Sequence, residues 1–425
     1  MQLNYKRTFF IGLAFMSICA FWQLYDNVIP RILTDTFDIG DTLTGAIMGI
    51  DNILALFLLP FIGTLSDKVR SPLGKRTPFI IIGTFIAVIL MFFIPYADNT
   101  QNFILFFIAL GLALIAMACY RSPAVALMPD LTPKPLRSKA NAVINLMGTL
   151  GGIFTLIMIR LLIPSDAIKP NYMPVYIAVA ALMAFAVVIL LATIKENKLA
   201  KEVSLANQED TAQVEEKVGH HVLPKDVKRS LIFLLLSVFL WFTAYNAVTS
   251  AFSRYAVKVW GLTGGSYANA LLVATGAATV SYIPIGFISS KFGRKKTIIG
   301  GIVLMTLSYM TGFLVTEYSP IIYIVFAFTG IGWAAISVNS YPMVVDMSFG
   351  SDVGKYTGIY YTFSMLAQTI TPILSGALLE NVSYRTLFPY AFVFSTLSLC
   401  TMLFVKHGNT KPEMKSAMEN FDLDD

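Results

Sequence analysis

Charged residues are scarce in this chain. Asp, Glu, Lys and Arg make up 13% of its 425 residues, whereas 56% are hydrophobic and the mean hydropathy is +0.69. An ordinary soluble domain carries about 25% charged residues, which help to cover its surface. The composition therefore excludes a water-soluble globular protein and indicates a chain whose solvent is lipid.

Cysteine and histidine are also rare, with three of each. All three cysteines fall inside apolar runs, and neither Cys-x-x-Cys nor Cys/His spacing occurs, so the sequence predicts neither a disulfide framework nor a metal site. It contains no Ser/His/Asp set and no Gly-x-x-x-x-Gly-Lys-[Ser/Thr] run, the motif that binds nucleotide phosphates. We expect no cofactor, no enzymatic activity and no ATP-driven pumping.

Helix-length apolar sequence is abundant instead. A hydrocarbon layer of ~30 Å needs about 20 helical residues, and helices satisfy their own backbone groups in lipid. Twelve runs are long enough, and they lie at residues 8–33, 43–66, 77–96, 103–128, 138–163, 172–194, 230–256, 266–290, 296–316, 320–347, 354–379 and 384–405. The predicted fold is an all-α integral membrane protein with twelve transmembrane helices.

The positive charges predict how these helices are oriented. Short cytoplasmic loops collect Lys and Arg, and here most of them lie before the first run, after the last run, or in loops that join an even-numbered run to the next. We expect both termini and the central loop to be cytoplasmic, in a plasma or inner membrane. This distribution accounts for the net charge of +6 without nucleic-acid binding.

The sequence also repeats itself. Shifting it by 219 places superposes four pairs of uncommon residues, which are Trp22 on Trp241, Asn27 on Asn246, Gly74 on Gly293 and Pro123 on Pro342. Duplicated membrane bundles are typical of secondary transporters. We predict two six-helix bundles, at residues 1–195 and 229–406.

A cytoplasmic linker is predicted between the bundles, at residues 196–228, and a cytoplasmic tail at 407–425. The linker has mixed charge and little apolar periodicity, so we interpret His220 and His221 as exposed loop residues rather than ligands. The acidic end of the tail is predicted to be disordered, because it has few residues that can be buried.

A glycine-rich basic loop occurs once in each half. In the first copy, Gly63 and Asp67 end the second run, and Gly74, Lys75 and Arg76 precede the third. A carboxylate at this place can cap a helix or pair with a cation on a neighbouring helix. We therefore predict a latch that holds the cytoplasmic helix ends together in one conformation and releases them in another. The alternative is that the cations only set the topology.

The second copy of the loop contains Gly293 and Arg294, but Ser290 stands where the first copy has Asp67. A serine cannot form the ion pair that the carboxylate can form. We therefore expect the latch to be concentrated in the first half.

Two further acids belong to the predicted latch. Asp130 and Asp346 lie at the cytoplasmic ends of the fourth and tenth runs, and each has a cation nearby in sequence, Arg137 and Lys355. Because both acids lie at helix ends, we interpret them as latch residues rather than as proton carriers.

Besides Asp346 at the end of the tenth run, two carboxylates lie within the apolar runs. An ionised side chain at bilayer depth costs ~2.5–3.5 kcal/mol, so each one suggests a function. Asp26 comes late in the first run and Asp51 early in the second; since these runs cross in opposite directions, both lie at similar depth. We predict that these two residues carry a proton across the membrane together with the transported substrate. For Asp51 the alternative is helix capping or a hydrogen bond to Asn52.

An aromatic cluster accompanies the first of these acids. Trp22 and Asp26 are four residues apart and share a helix face, with Tyr25 beside them. A sugar ring stacks on an aromatic face, and its hydroxyls donate to a carboxylate. These three residues are therefore predicted to bind a sugar.

Arg121 is the cation inside the fourth run. Its predicted partners are a carboxylate, a substrate hydroxyl, or the carbonyls of a helix broken near Pro123. We interpret it as a substrate contact or an inner gate. Arg160, at the outer end of the fifth run, is instead expected to extend to the membrane surface.

The polar residues of the second half are mostly uncharged. Amide and hydroxyl groups recognise neutral hydroxylated ligands, and the predicted substrate contacts there are Trp241, Tyr245, Asn246, Asn339 and Gln368. The alternatives are aromatic packing and hydrogen bonding between helices.

The motifs resemble those of a known superfamily. Gly-Thr-Leu-Ser-Asp from Gly63, followed by Gly-Lys-Arg, resembles the signature loop of the major facilitator superfamily. Gly-Lys-Arg-Thr-Pro-Phe at residues 74–79, the stretch from Arg121 to Asp130, and Arg-Ser-Lys-Ala-Asn-Ala from Arg137 are similar to glycoside–pentoside–hexuronide symporters, in particular the proton-coupled sucrose and maltose branch. The resemblance covers essentially the whole chain.

The known ion sites of that family do not carry over. Melibiose-type sodium symporters have carboxylates where this chain has Ala55 and Leu59, and plant sucrose carriers have an Asp and an Arg where it has Leu114 and Val125. Asp26 and Asp51 are therefore the predicted ion sites. This favours a proton over sodium as the coupled ion.

The resemblance and the residues together predict a monomeric secondary transporter. It is expected to import a neutral sugar or glycoside, such as a sucrose- or maltose-like disaccharide, by proton symport with alternating access. The alternatives are an uncoupled or sodium-coupled facilitator or exporter, and a membrane sugar sensor that does not transport. The absence of a soluble signalling domain argues against the sensor.

Overall fold

The computed structural model describes residues 3–133, 136–164, 170–211, 224–347 and 353–408. Throughout these ranges the regular structure is helical. The helices are α1 Tyr5–Asp35, α2 Asp41–Lys68, α3 Thr77–Asn99, α4 Phe103–Asp130, α5 Arg137–Leu162, α6 Met173–Thr193, α7 Glu196–Thr211, α8 Lys225–Trp260, α9 Ala268–Phe292, α10 Arg294–Leu314, α11 Ile321–Val345, α12 Val353–Asn381 and α13 Leu387–Leu403, with a 3-10 turn at Tyr384–Thr386.

Twelve of the described helices are long and apolar enough to cross a membrane, so the prediction of twelve transmembrane helices is confirmed. The remaining helix, α7, lies in the segment that the sequence predicts as a linker. The predicted loop residues His220 and His221 and the acidic end of the tail lie outside the described residues.

Local signals explain where several helices begin. The side chains of Asn4 and Asn102 accept hydrogen bonds from backbone N–H groups three residues ahead, at 2.9 and 3.0 Å, and so cap α1 and α4. Gly74 and Gly293, which the 219-residue shift superposes, both adopt positive φ values, 119° and 91°. Because this conformation favours glycine, the two positions share a backbone requirement, although the first loop runs over residues 69–76 and the second consists of Gly293 alone.

The chain forms two compact units. Unit 1 comprises Met1–Lys217, Thr249–Leu272 and Pro372–Tyr384, and unit 2 comprises Val218–Val248, Val273–Thr371 and Arg385–Asp425. Helices α8, α9 and α12 therefore each contribute one end to unit 1. The division into two sequence halves, each with six transmembrane helices, stays a prediction.

In unit 1, α1 packs closely on α5 because glycines line the contact. A Cβ atom on Gly151 would lie 2.1 Å from the Met16 carbonyl oxygen, and one on Gly148 would lie 2.7 Å from the Phe15 ring. The Thr155 hydroxyl donates to the Ala20 carbonyl at 2.9 Å. Small residues that let backbones approach are the usual means of helix packing in membranes.

We expect Gly151→Ala to lower the free energy of unfolding by about 1–3 kcal/mol, since the new methyl group meets backbone that cannot move aside. The matched control is Gly152→Ala, whose Cβ would lie 3.5 Å from the Gln23 side chain, an ordinary contact. Thermal unfolding of both purified variants in detergent measures the difference. Equal melting temperatures would contradict the packing argument.

In unit 2, the same principle joins α10 to α11 and α13. Cβ atoms on Gly301 and Gly332 would each lie 2.7 Å from the other's carbonyl oxygen, and one on Gly312 would lie 2.6 Å from the Phe388 ring. The Thr306 and Ser395 hydroxyls, on α10 and α13, lie 2.6 Å apart. Many large apolar side chains of both units are exposed, as expected for helices that face lipid.

Candidate functional site

The predicted aromatic cluster of α1 is present in unit 1. The Trp22 and Tyr25 rings lie edge to face with centroids 5.4 Å apart, and the buried Tyr25 hydroxyl donates to the Met48 carbonyl of α2 at 3.5 Å. Asp26 follows on the same helix and is half-buried. The indole N–H of Trp22 is buried and has no hydrogen-bond partner among the described residues.

Two further charged groups lie beside this cluster. The Arg121 guanidinium of α4 lies over the Trp22 ring, 5.7 Å from its centroid. The Asp26 and Asp51 carboxylates are within electrostatic range of each other, and Arg121 is within range of Asp51. Residues predicted separately on α1, α2 and α4 are thus brought together.

Few of these charged groups form hydrogen bonds or ion pairs with the rest of the described protein. Asp51 accepts a hydrogen bond from the Asn52 side chain at 2.8 Å, but it is the eleventh residue of α2, so it does not cap the helix. Within the described ranges, no hydrogen bond reaches Asp26 and no carboxylate lies within 4.0 Å of Arg121. Unsatisfied polar groups that share one half-buried place are what a polar ligand needs.

In unit 2, one of the two predicted aromatic residues takes part in ring stacking. Tyr245 of α8 stacks on Trp333 of α11 with ring centroids 3.9 Å apart and an interplanar angle of 7°. Phe242 meets the same tryptophan edge to face at 5.3 Å. Trp241 is buried, and its indole N–H, like that of Trp22, has no hydrogen-bond partner in the described part of the chain.

The predicted amides lie on three different helices, and each bonds to its own helix. The side-chain NH₂ groups of Asn246, Asn339 and Gln368 donate to the carbonyl four residues before, at 2.7, 2.9 and 3.3 Å. Asn27, which the repeat superposes on Asn246, does the same at 2.9 Å. This bond orients each amide, so its carbonyl oxygen is held in one direction.

The basic loop of the first half forms a cluster of ion pairs in unit 1. Arg76 pairs with Asp67 and, at 2.9 Å, with Asp130, and it also donates to the Gly63 carbonyl at 3.2 Å. Lys75 lies 3.7 Å from Asp67 and 3.1 Å from Asp130. We call these four charged residues, Asp67, Lys75, Arg76 and Asp130, the first latch cluster. The Arg137 side chain, predicted near Asp130, lies outside the described residues.

The second half has a smaller counterpart in unit 2. Arg294 pairs with Asp346, and the neighbouring Lys295 donates to the Leu403 carbonyl at 3.1 Å. Ser290 donates to the Gly286 carbonyl of its own helix at 2.9 Å. The Lys355 side chain lies outside the described residues.

Sequence reasoning missed Glu196, the first residue of α7. Its carboxylate accepts hydrogen bonds from the backbone N–H groups of Lys75, Arg76 and Thr77, at 2.9 to 3.2 Å, beside the first latch cluster. A lone acid between a transmembrane run and a polar segment gives no signal of such a contact.

A second missed group lies at the opposite end of α2, within unit 1. Asp41 and Arg254 are 5% and 3% exposed and form an ion pair, and the Tyr384 hydroxyl donates to the other Asp41 oxygen. Glu380 of α12 accepts from the Thr42 backbone N–H at 2.7 Å. We call Asp41, Arg254 and Tyr384 the distal cluster. Each looks in sequence like a loop-end residue.

Arg31, at the same end of α1, is also buried. Its guanidinium lies 5.9 Å from the Tyr172 ring centroid and 5.6 Å from that of Tyr267, and it donates to the Gly264 carbonyl at 3.0 Å. Burial raises the pKa of the Tyr267 hydroxyl, so that group stays protonated and donates to the Asn27 carbonyl at 3.4 Å. The α8–α9 loop is thus fixed to α1.

The sequence matches a known family model over nearly its whole length. Residues 10–414 match the model described as "MFS/sugar transport protein". The chain belongs to this family. The family and the fold are those of membrane transporters rather than enzymes, and the twelve apolar helices make the transporter an integral, multi-pass membrane protein.

Curated relatives match over shorter stretches. An MFS-type transporter of Metarhizium majus is 30% identical over 166 residues, which is 38% of this chain and 26% of that protein. A sucrose transport protein of Arabidopsis thaliana is 35% identical over 120 residues, 24% of this chain and 20% of that protein. The matched stretches therefore span about a quarter or less of these two relatives.

Solved structures support the fold. An inward-open xylose transporter of E. coli superposes with a TM-score of 0.68 at 14% identity, covering 96% of this chain and 97% of that chain. At this identity the similarity shows the fold alone.

Proposed function

We propose that the transporter carries a neutral sugar or glycoside, such as a sucrose- or maltose-like disaccharide, together with a proton into the cell. The observation that carries the proposal is the site in unit 1, where Trp22, Asp26 and Arg121 bring together an aromatic ring and unsatisfied polar groups. The family and the curated sucrose transport protein support the same substrate class.

A sugar suits the chemistry of these groups. The Trp22 ring offers an apolar face for the C–H side of a pyranose, while its N–H and the Arg121 guanidinium donate to hydroxyl oxygens. The Asp26 carboxylate accepts from hydroxyl hydrogens. Because buried polar groups that are left unpaired cost free energy, a ligand that lacks the matching hydroxyls is rejected.

The charges of the site support proton coupling. Asp51 interacts electrostatically with both Asp26 and Arg121, and the three groups together carry one excess negative charge, so a single bound proton makes the site neutral. A neutral site is the form that a low-dielectric environment favours. We infer that proton and sugar bind together and leave together.

The two charged clusters at the ends of α2 are proposed to act as gates. The loop between α2 and α3 is basic, so we place it on the cytoplasmic side and the distal cluster on the outer side. Alternating access then requires the first latch cluster and the distal cluster to open at different stages. The Asp41–Arg254 pair closes the outer side in this proposal.

The test is uptake into proteoliposomes at two external pH values, with radiolabelled sucrose, maltose, trehalose and raffinose as the panel. A gradient of one pH unit is worth about 1.4 kcal/mol per proton and supports about tenfold accumulation. We expect this accumulation for at least one disaccharide with acid outside, and its loss when a proton ionophore is added.

An equal sodium gradient is the control, and we expect it to give no accumulation. Accumulation driven by the sodium gradient would identify sodium rather than the proton as the coupled ion. Uptake that stops when the internal and external sugar concentrations are equal would indicate an uncoupled facilitator. Binding of a sugar without counterflow of labelled sugar would indicate a sensor.

A further inference from the structure

Glu196 is a buried acid in a polar stretch of the chain. It opens α7, directly after the apolar helix α6, and only 2% of its surface is exposed. Both of its carboxylate oxygens are used. Oε1 accepts from the Lys75 N–H at 2.9 Å and the Arg76 N–H at 3.0 Å, and Oε2 accepts from the Thr77 N–H at 2.9 Å and the Thr77 hydroxyl at 2.7 Å.

These donors are the free N–H groups where α3 begins. The residue at the N-cap position, Arg76, makes no side-chain cap bond of its own, so the cap comes from 120 residues away. A carboxylate at a helix amino terminus also interacts favourably with the helix dipole. Glu196 therefore supplies to α3 the capping that its local sequence lacks.

The loop backbone is shaped to receive this carboxylate. Gly74 has a φ of 119°, and a Cβ atom there would lie 2.2 Å from Oε2 of Glu196. Any other residue at position 74 would displace the carboxylate. The next residue of α7, Asn197, donates to the Ser71 and Pro72 carbonyls, both at 2.9 Å. The start of α7 thus holds the loop at two places.

The residues that Glu196 holds by their backbone are those that form the first latch cluster through their side chains. The N–H groups of Lys75 and Arg76 bond to Glu196, while their cationic groups reach Asp67 and Asp130. A backbone shift of the loop would move both cations away from both acids.

We propose that Glu196 is a positioning residue for transport, which fixes the start of α3 so that Lys75 and Arg76 meet Asp67 and Asp130. The proposal rests on the proposed role of the first latch cluster and needs no particular sugar or ion. It makes the start of α7 part of the moving machinery, where the sequence suggests only a linker.

The test compares four variants of the full chain. Glu196→Gln replaces one acceptor oxygen with a donor, and Glu196→Asp keeps the charge on a shorter side chain. Thr77→Val removes a single bond and leaves the carboxylate in place. The matched control is Glu202→Gln on the same helix, whose acid is 51% exposed and lies 3.7 Å from Arg7.

Amide hydrogen exchange over residues 71–77 tests the positioning directly and needs no substrate. We expect Glu196→Gln to speed exchange there by about tenfold, Thr77→Val by less, and Glu202→Gln not at all. Equal exchange in Glu196→Gln and Glu202→Gln would overturn the proposal, as would acceleration that is spread over all helices.

Uptake of radiolabelled sucrose and maltose then tests the consequence for transport. We expect Glu196→Gln to lower kcat by about tenfold with less than a twofold change in KM, and Glu196→Asp to recover part of the rate, since the sugar site is untouched. Unchanged kcat per inserted molecule overturns the proposal. If the parent chain carries none of the four sugars of the panel, the proposed substrate class fails, and the exchange comparison still decides whether Glu196 positions the loop.

Discussion

Asp26→Asn and Asp51→Asn are expected to abolish the accumulation of sugar while leaving its exchange intact. One proton moved through 100 mV releases ~2.3 kcal/mol, which supports about fiftyfold accumulation. An asparagine cannot take up that proton, so the ratio of internal to external sugar should fall to about one. Counterflow moves sugar without net proton movement and should persist, because the amide oxygen still accepts from a hydroxyl.

Asp98→Asn is the matched control for these variants. Asp98 is also a buried acid of unit 1, but it lies at the end of α3, where the Thr36 hydroxyl donates to it at 2.6 Å. An amide oxygen can accept that bond, so accumulation should stay at the parental level. Proteoliposome uptake with an imposed potential and acid outside measures all three variants. If the two single variants, Asp26→Asn and Asp51→Asn, each accumulate sugar to the parental level, neither residue is the proton site.

Arg254→Gln is expected to destabilise the protein by about 3–5 kcal/mol, since it leaves the buried Asp41 carboxylate without its cation. The double variant Asp41→Asn/Arg254→Gln should recover more than half of this loss, because two neutral amides can bond to each other. Unfolding in mixed detergent and SDS micelles gives the free energy for the parent, both single variants and the double variant.

The Arg31–Asp35 pair provides the control for this cycle. Its acid is 38% exposed, and the buried Arg31 keeps its bond to the Gly264 carbonyl and its contacts with the Tyr172 and Tyr267 rings, so Asp35→Asn should cost only about 0–1 kcal/mol. If Arg254→Gln and Asp35→Asn destabilise equally, or if the double variant is as unstable as the sum of the single ones, the Asp41–Arg254 pair does not stabilise this end of α2.

The twelve membrane helices could be predicted from sequence because the lipid environment determines their secondary structure. An apolar run of sufficient length is helical in lipid whatever its neighbours are, so no tertiary information is needed. The grouping of Trp22, Tyr25 and Asp26 was predictable for a similar reason, since their spacing alone puts them on one helix face.

Contacts between distant segments could not be predicted in this way. Helix α7 is polar, and its start is fixed by bonds from Glu196 to a loop 120 residues earlier, for which sequence spacing gives no signal. The Asp41–Arg254 pair joins residues 213 apart, and each looks like an ordinary charge near a loop. The described partners of Asp130 are Arg76 and Lys75, which sequence spacing does not indicate. Its pairing with Arg137 stays a prediction, because that side chain lies outside the described residues.

The three charges at the site in unit 1 have a consequence for the electrical behaviour of the cycle. Asp26, Asp51 and Arg121 sum to one negative charge when all are ionised, and to zero once a proton is bound. Under the proposed mechanism, the loaded transporter therefore reorients without moving net charge, while the empty one carries a negative charge outward. A membrane potential that is negative inside should then accelerate the return of the empty carrier and leave the inward step unaffected.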